Sequence, residues 1–158
     1  MGRSLPYYAL LVAVLIWCGA IVMPPLAATS NPLISSLGYR FFALICHQED
    51  ARSLHLLGYP LAVCARCTAI YFGFLFGIML SPLFSPGVAS IPRLAWAIAV
   101  VPMLVDVGAD VFGIHASTPG TRIASGMFFG AAAALILTPY LIGMYRRNQP
   151  SVRNELKT

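Results

Sequence analysis

The chain is 158 residues long, 59% apolar and only 9% charged, with a mean hydropathy of +0.80 and a net charge of +5. Soluble domains carry about 25% charged residues, so these few charges cannot cover a water-facing surface, which excludes an ordinary cytosolic enzyme, a disordered tail and a nucleic-acid module. The length suits one domain. The positive balance reads as a setter of membrane orientation, because Arg146, Arg147, Arg153 and Lys157 gather at the C-terminal end.

A helical span needs about 20 mostly apolar residues. The first such stretch runs from Pro6 to Met23 and is expected to stop at Pro24-Pro25. Arg3 before it and Ala27-Ala28 after it also fit a signal peptide. The length of the run, the double proline and the missing Ala-x-Ala pattern favour a span. Residues Leu33 to Ile45 are too few to cross a bilayer and carry Arg40. They predict a short amphipathic helix at the interface or tucked into the bundle.

The second span is expected over Leu61 to Leu83. Cys64, Cys67, Thr68 and Tyr71 follow the i, i+3, i+4, i+7 spacing and form one helical stripe. Gly73 and Gly77, below them, form a small-xxx-small pair that admits a close neighbour. The third span, Leu94 to Val111, contains Pro102, which predicts a kink. Asp106 and Asp110 share one face near its end. A turn follows at Ser117-Thr118-Pro119-Gly120, with Thr118 or Thr121 as the cap of the fourth span, Ile123 to Tyr145. Gly126 and Gly130 match the earlier glycine pair. They predict that the second and fourth spans pack together, or that copies of the chain assemble through these faces.

With four spans, Arg3, Arg93 and the C-terminal cluster fall on one side, the cytoplasmic one by the positive-inside rule. Both termini are then cytoplasmic, in an inner or plasma membrane. The expected fold is an all-α integral membrane bundle of about four transmembrane helices plus one short interfacial or re-entrant helix. Residues 1–145 make the domain and 146–158 a basic tail.

Nearly every unusual polar residue falls on the outer side. Carboxylates inside a span are costly and mark function by default, so Asp106, Asp110 and Arg122 are candidate catalytic or substrate-binding residues. The competing reading is a structural ion pair of an Asp with Arg122 or Arg66. Of the four cysteines, Cys18 reads as packing. Cys46, His47, Cys64 and Cys67 offer three sulfurs and one nitrogen, a set suited to zinc, with copper or an iron–sulfur cluster as alternatives. Adjacent helical residues point about 100° apart, so Cys46 and His47 can both ligate only in an irregular chain. Otherwise His55, Asp106 or water completes the shell. A disulfide relay without metal stays open as well. A C-x-x-C at a helix N-terminus beside Arg66 has an activated thiol, and the outer compartment is oxidising. His55 and His115 read as hydrogen-bonding residues.

Cys46-His47-Gln48, Arg52-Ser53 and Cys64-Ala65-Arg66-Cys67-Thr68-Ala69-Ile70-Tyr71-Phe72-Gly73 resemble the signature of a domain-of-unknown-function family of small bacterial and archaeal multi-pass membrane proteins. Asp106, Ser117-Thr118, Arg122 and Ser125-Gly126 continue the likeness, which covers about residues 40–130. Ala69 stands where the family usually has Gly, and Pro119 where it usually has Asn. The resemblance implies a membrane protein with a Cys/His/Asp/Arg constellation. The expected function is metal binding, zinc first, beside an Asp/Arg pocket. An enzyme acting on a lipid or other membrane-dissolved substrate would use the metal as Lewis acid and an Asp as base. A quinone-linked thiol–disulfide oxidoreductase and a small transporter or metal-handling protein are the rivals. The expected partner is the lipid bilayer, not nucleic acid.

Overall fold

The computed structural model of the protein describes residues 5–83, 93–113 and 118–147. Arg3, His115, Ser117 and the tail beyond Arg147 lie outside the described residues.

Helix α1 spans Leu5–Ala27 and does not stop at the double proline. Proline removes the donors that the Ala20 and Ile21 carbonyls would use, which ordinarily breaks a helix. Here both prolines are buried near the helix end. The Ser35 hydroxyl donates to the Pro24 carbonyl at 2.9 Å, and Gly38 lies against the Pro24 ring. The proline pair is thus a packing surface one turn before the helix closes.

Helix α2, Pro32–Ala43, starts where Asn31 accepts a bond from the Ile34 N–H and proline occupies the first turn. Twelve residues make a rod of about 18 Å, far short of a bilayer core. The helix folds back antiparallel on α1. Its start meets Pro24, and Phe41 and Phe42 near its end meet the Trp17 ring edge-on. Leu33, Leu37, Phe41 and Leu44 face outward.

A 3-10 turn, Asp50–Arg52, leads into a hairpin of β1, Ser53–Leu56, and β2, Tyr59–Cys64. The strands are antiparallel, with His55 opposite Pro60 and an irregularity between Ser53 and His55. The turn is Leu57-Gly58, with φ of 55° and 84°. This hairpin corrects the all-α expectation, and it places residues 61–64 in a strand instead of the second helix. Leu61, Ala62 and Val63 are buried in succession. A strand covered on both faces has no alternation, so its apolar run reads like the first turn of a buried helix.

Helices α3, Ala65–Leu80, α4, Arg93–Val111, and α5, Pro119–Arg147, complete the chain. α3 and α5 meet along their glycines. A Cβ on Gly73 would strike the Met127 backbone, one on Gly126 the Arg66 carbonyl, and one on Gly130 the Ile70 and Phe74 backbone. Both glycine faces are therefore filled within the chain. α4 packs on α5 and includes Pro102. Among the described residues, α1 and the Pro119–Gly143 part of α5 are long and apolar enough to cross a membrane, and α3 is a shorter apolar helix. That is two such helices against the four spans expected. Large apolar side chains stand exposed along the helices, Ile16, Phe76, Leu104 and Leu141 among them.

Candidate metal centre

The first turn of α3 places Cys64 and Cys67 one helical turn apart, Cys64 as the capping residue and Cys67 inside. Cys46 arrives from a different segment, the irregular stretch after α2, where its N–H donates to the Phe42 carbonyl at 2.9 Å. The three sulfurs lie within 4.8 Å of one another, and none is in a disulfide. The Cys64 N–H donates to the Cys46 sulfur at 3.3 Å. Ile21, Phe42, Ala62 and Val63 form the core around Cys46, with Trp17 and Tyr71 packed against it.

Three soft donors at this spacing could hold a metal ion. Cys64 caps the N-terminus of α3 and Cys67 lies in its first turn, where the positive end of the helix favours a thiolate. The thiolate form of a cysteine is both the better ligand and the better nucleophile.

His47 is exposed and stands outside the sulfur group, although the chain around it is irregular as joint ligation would require. His55 meets the Asp50 carboxylate at 3.0 Å, and Glu49 pairs with Arg52, so the acids flanking the Cys46 motif are used on the hairpin surface. Cys18 sits apart from the other thiols and donates to the Tyr71 carbonyl.

The other candidates gather on the opposite side of the same helical turn. Arg66, between the two cysteines in sequence, turns away from the thiols and bonds Asp106 of α4. The Ser125 hydroxyl of α5 donates to the same Asp106 oxygen at 3.1 Å. Arg122 reaches Asp110 at 3.5 Å. All four charged side chains are largely buried. Both carboxylates thus stand in ion pairs that tie α3, α4 and α5 together. The residue the sequence left without a role is Gln48, whose side-chain amide donates to the carbonyls of Tyr39 and Ala62 at 2.7 Å each. Its place two residues after Cys46 was the available signal.

Residues 46–136 match a family described as "Predicted membrane protein (DUF2085)". An uncharacterised protein of Methanocaldococcus jannaschii is 33% identical over 147 residues, which covers 87% of this chain and 94% of the relative. An uncharacterised protein of Methanothermobacter thermautotrophicus is 26% identical over 99 residues, covering 60% of this chain and 86% of the relative. No solved structure matches the chain. The matched segment begins at Cys46 and takes in Cys64, Cys67, Asp106, Asp110 and Arg122.

Proposed function

The chain belongs to the family of predicted membrane proteins DUF2085, and from that premise we propose that it is a four-span membrane protein holding one thiophilic metal ion, zinc first, on Cys46, Cys64 and Cys67. The observation that carries this reading is the convergence of three unpaired sulfurs from two separate segments to within 4.8 Å. Zinc accepts three thiolates and keeps a fourth position for water, a substrate or another ligand. Copper(I) suits the same donors. An iron–sulfur cluster takes four cysteines, and Cys18 is engaged elsewhere, so it fits less well.

In this reading α1, α3, α4 and α5 span the membrane, and the thiol site lies in its outer half. Bound there, the ion would supply Lewis acidity and lower the pKa of bound water. The chain's own residues hold the ion and exclude water, with Ile21, Phe42 and Val63 as the apolar wall. The Arg122–Asp110 contact, at 3.5 Å, is long for a charged pair. An anionic headgroup would be drawn to the Arg122 guanidinium, in competition with Asp110. Asp106, held by Arg66 and Ser125, would stay in place.

A second reading rests on the place of Cys64 and Cys67 at the start of α3 with a third free sulfur beside them. A C-x-x-C pair beside a third sulfur is also the start of a disulfide relay, in which two thiols give up two electrons and two protons to a quinone. One measurement separates the two. Elemental analysis of the detergent-purified protein, with thiols counted before and after reduction, is expected to find about one zinc per chain, lost in Cys64→Ser/Cys67→Ser. His47→Ala is expected to keep the metal. A metal-free protein whose thiols appear only on reduction would replace the zinc reading with the relay.

A further inference from the structure

The Cys64–Cys67 spacing is local, because one helical turn sets it. The distance from Cys46 to that pair has no such shortcut. Cys46 follows α2, eighteen residues before Cys64, in a stretch without regular structure. Something must hold this stretch against β2.

Gln48 is placed to do so. Its backbone adopts φ of 52°, a left-handed conformation that side chains larger than glycine rarely take without compensation. That turn directs its side chain back between α2 and β2. The amide nitrogen donates to the Tyr39 carbonyl on α2 and to the Ala62 carbonyl on β2, both at 2.7 Å. One element leads to Cys46, and the other ends in Cys64. Ala62 is fully buried, so no water can replace the donor there. The Tyr39 hydroxyl adds a second strap to the Pro60 carbonyl at 2.6 Å, but that strap bypasses the Cys46 stretch.

We propose that Gln48 is the positioning residue of the thiol site: its two amide hydrogens strap α2 to β2 and set the approach of Cys46 to Cys64. The chemistry requires an amide. Glutamate has the same shape but no donor when ionised, and it would set a charge against two carbonyl oxygens. Leucine leaves both carbonyls without that partner. The metal role of the three sulfurs rests on the function proposed above; the spacing itself does not.

Dibromobimane tests the spacing without metal. Each thiolate displaces one bromide, and strong fluorescence follows when one molecule bridges two nearby sulfurs. The full chain is used in detergent, reduced and metal-stripped, in two backgrounds. Cys18→Ala/Cys67→Ser leaves only Cys46 and Cys64. Cys18→Ala/Cys46→Ser leaves only Cys64 and Cys67. With Gln48 in place, both are expected to bridge. Gln48→Leu and Gln48→Glu are each expected to slow the Cys46–Cys64 bridge about tenfold, as loss of two buried hydrogen bonds implies, and to leave the Cys64–Cys67 bridge within about twofold. An unchanged Cys46–Cys64 bridge in both variants overturns the proposal. Loss of both bridges in both variants also overturns it, because Gln48 would then serve folding in general. If the bridge depends on Gln48 but the unmodified protein holds no metal, the positioning role stands and the metal reading falls.

Discussion

A buried charge is costly to strand and cheaper to replace together with its partner. Asp106 meets Arg66 and Ser125 at the junction of three helices, with only 13% of its side chain exposed. Asp106→Ala leaves the Arg66 cation in that site and is expected to cost about 3–5 kcal/mol, read as a lowered thermal midpoint in detergent. The double variant Asp106→Leu/Arg66→Met is expected to recover most of the loss. A single variant as stable as the parent would mean that the pair is screened and contributes little. The sequence made the carboxylates legible, since two acids four apart in an apolar helix share one face. It offered Arg66 and Arg122 as partners but did not apportion them. Residue pairing across helices depends on rotation and depth, which spacing along one chain does not encode. His47 is the converse case. Adjacency to Cys46 nominated it, and an exposed side chain keeps it out of the sulfur group.

Between elements, glycines decide which surfaces can touch. Gly130 sits where an added Cβ would meet backbone atoms of Ile70 and Phe74, and backbone cannot give way as a flexible side chain can. Gly130→Ala is expected to cost about 1–3 kcal/mol by overpacking the α3–α5 contact. Gly19→Ala on α1 has nothing within 4 Å of the new methyl group. It is expected to gain up to about 1 kcal/mol from helix propensity. Thermal unfolding of the two variants side by side checks the contrast, and equal midpoints would overturn it. The glycine spacing was readable in the sequence because close helix contact demands small residues at i and i+4. The hairpin was not, because Leu61-Ala62-Val63 carries no period that separates a buried strand from a helix start. Nor was the persistence of α1 through Pro24-Pro25, which depends on Ser35 and Gly38 arriving from another helix.

For the molecule in its membrane, the proposed topology turns on the short α2. The first pass is α1, whose 23 residues give a rod of about 34 Å. In the proposed four-span reading, α2 folds back along α1 into the same leaflet and leaves it again through the Cys46 stretch. Backbone at that depth needs its polar groups satisfied by protein, which the Gln48 amide does for two carbonyls. Asn31 and Leu57 are therefore expected on one side of the membrane, with both termini on the other. Single cysteines at these two exposed positions, in a Cys-free background, are expected to react with a membrane-impermeant thiol reagent from the same side. Labelling from opposite sides would make α2 a span and reverse every later loop.

The sequence by itself determined the class of this protein. Too few charges to solvate a surface, apolar runs bounded by prolines, and glycines at helical spacing are local or compositional properties, and they survive any packing. It also nominated Cys46, His47, Cys64 and Cys67 as candidates, and it determined the Cys64–Cys67 pair, because a C-x-x-C at a helix start is set within a few residues. The tertiary structure alone decided that Cys46 joins them while His47 does not, that each carboxylate has its own arginine, and that a glutamine bridges α2 and β2. These outcomes hang on how segments far apart in sequence are rotated and stacked, and no window of the chain contains that information.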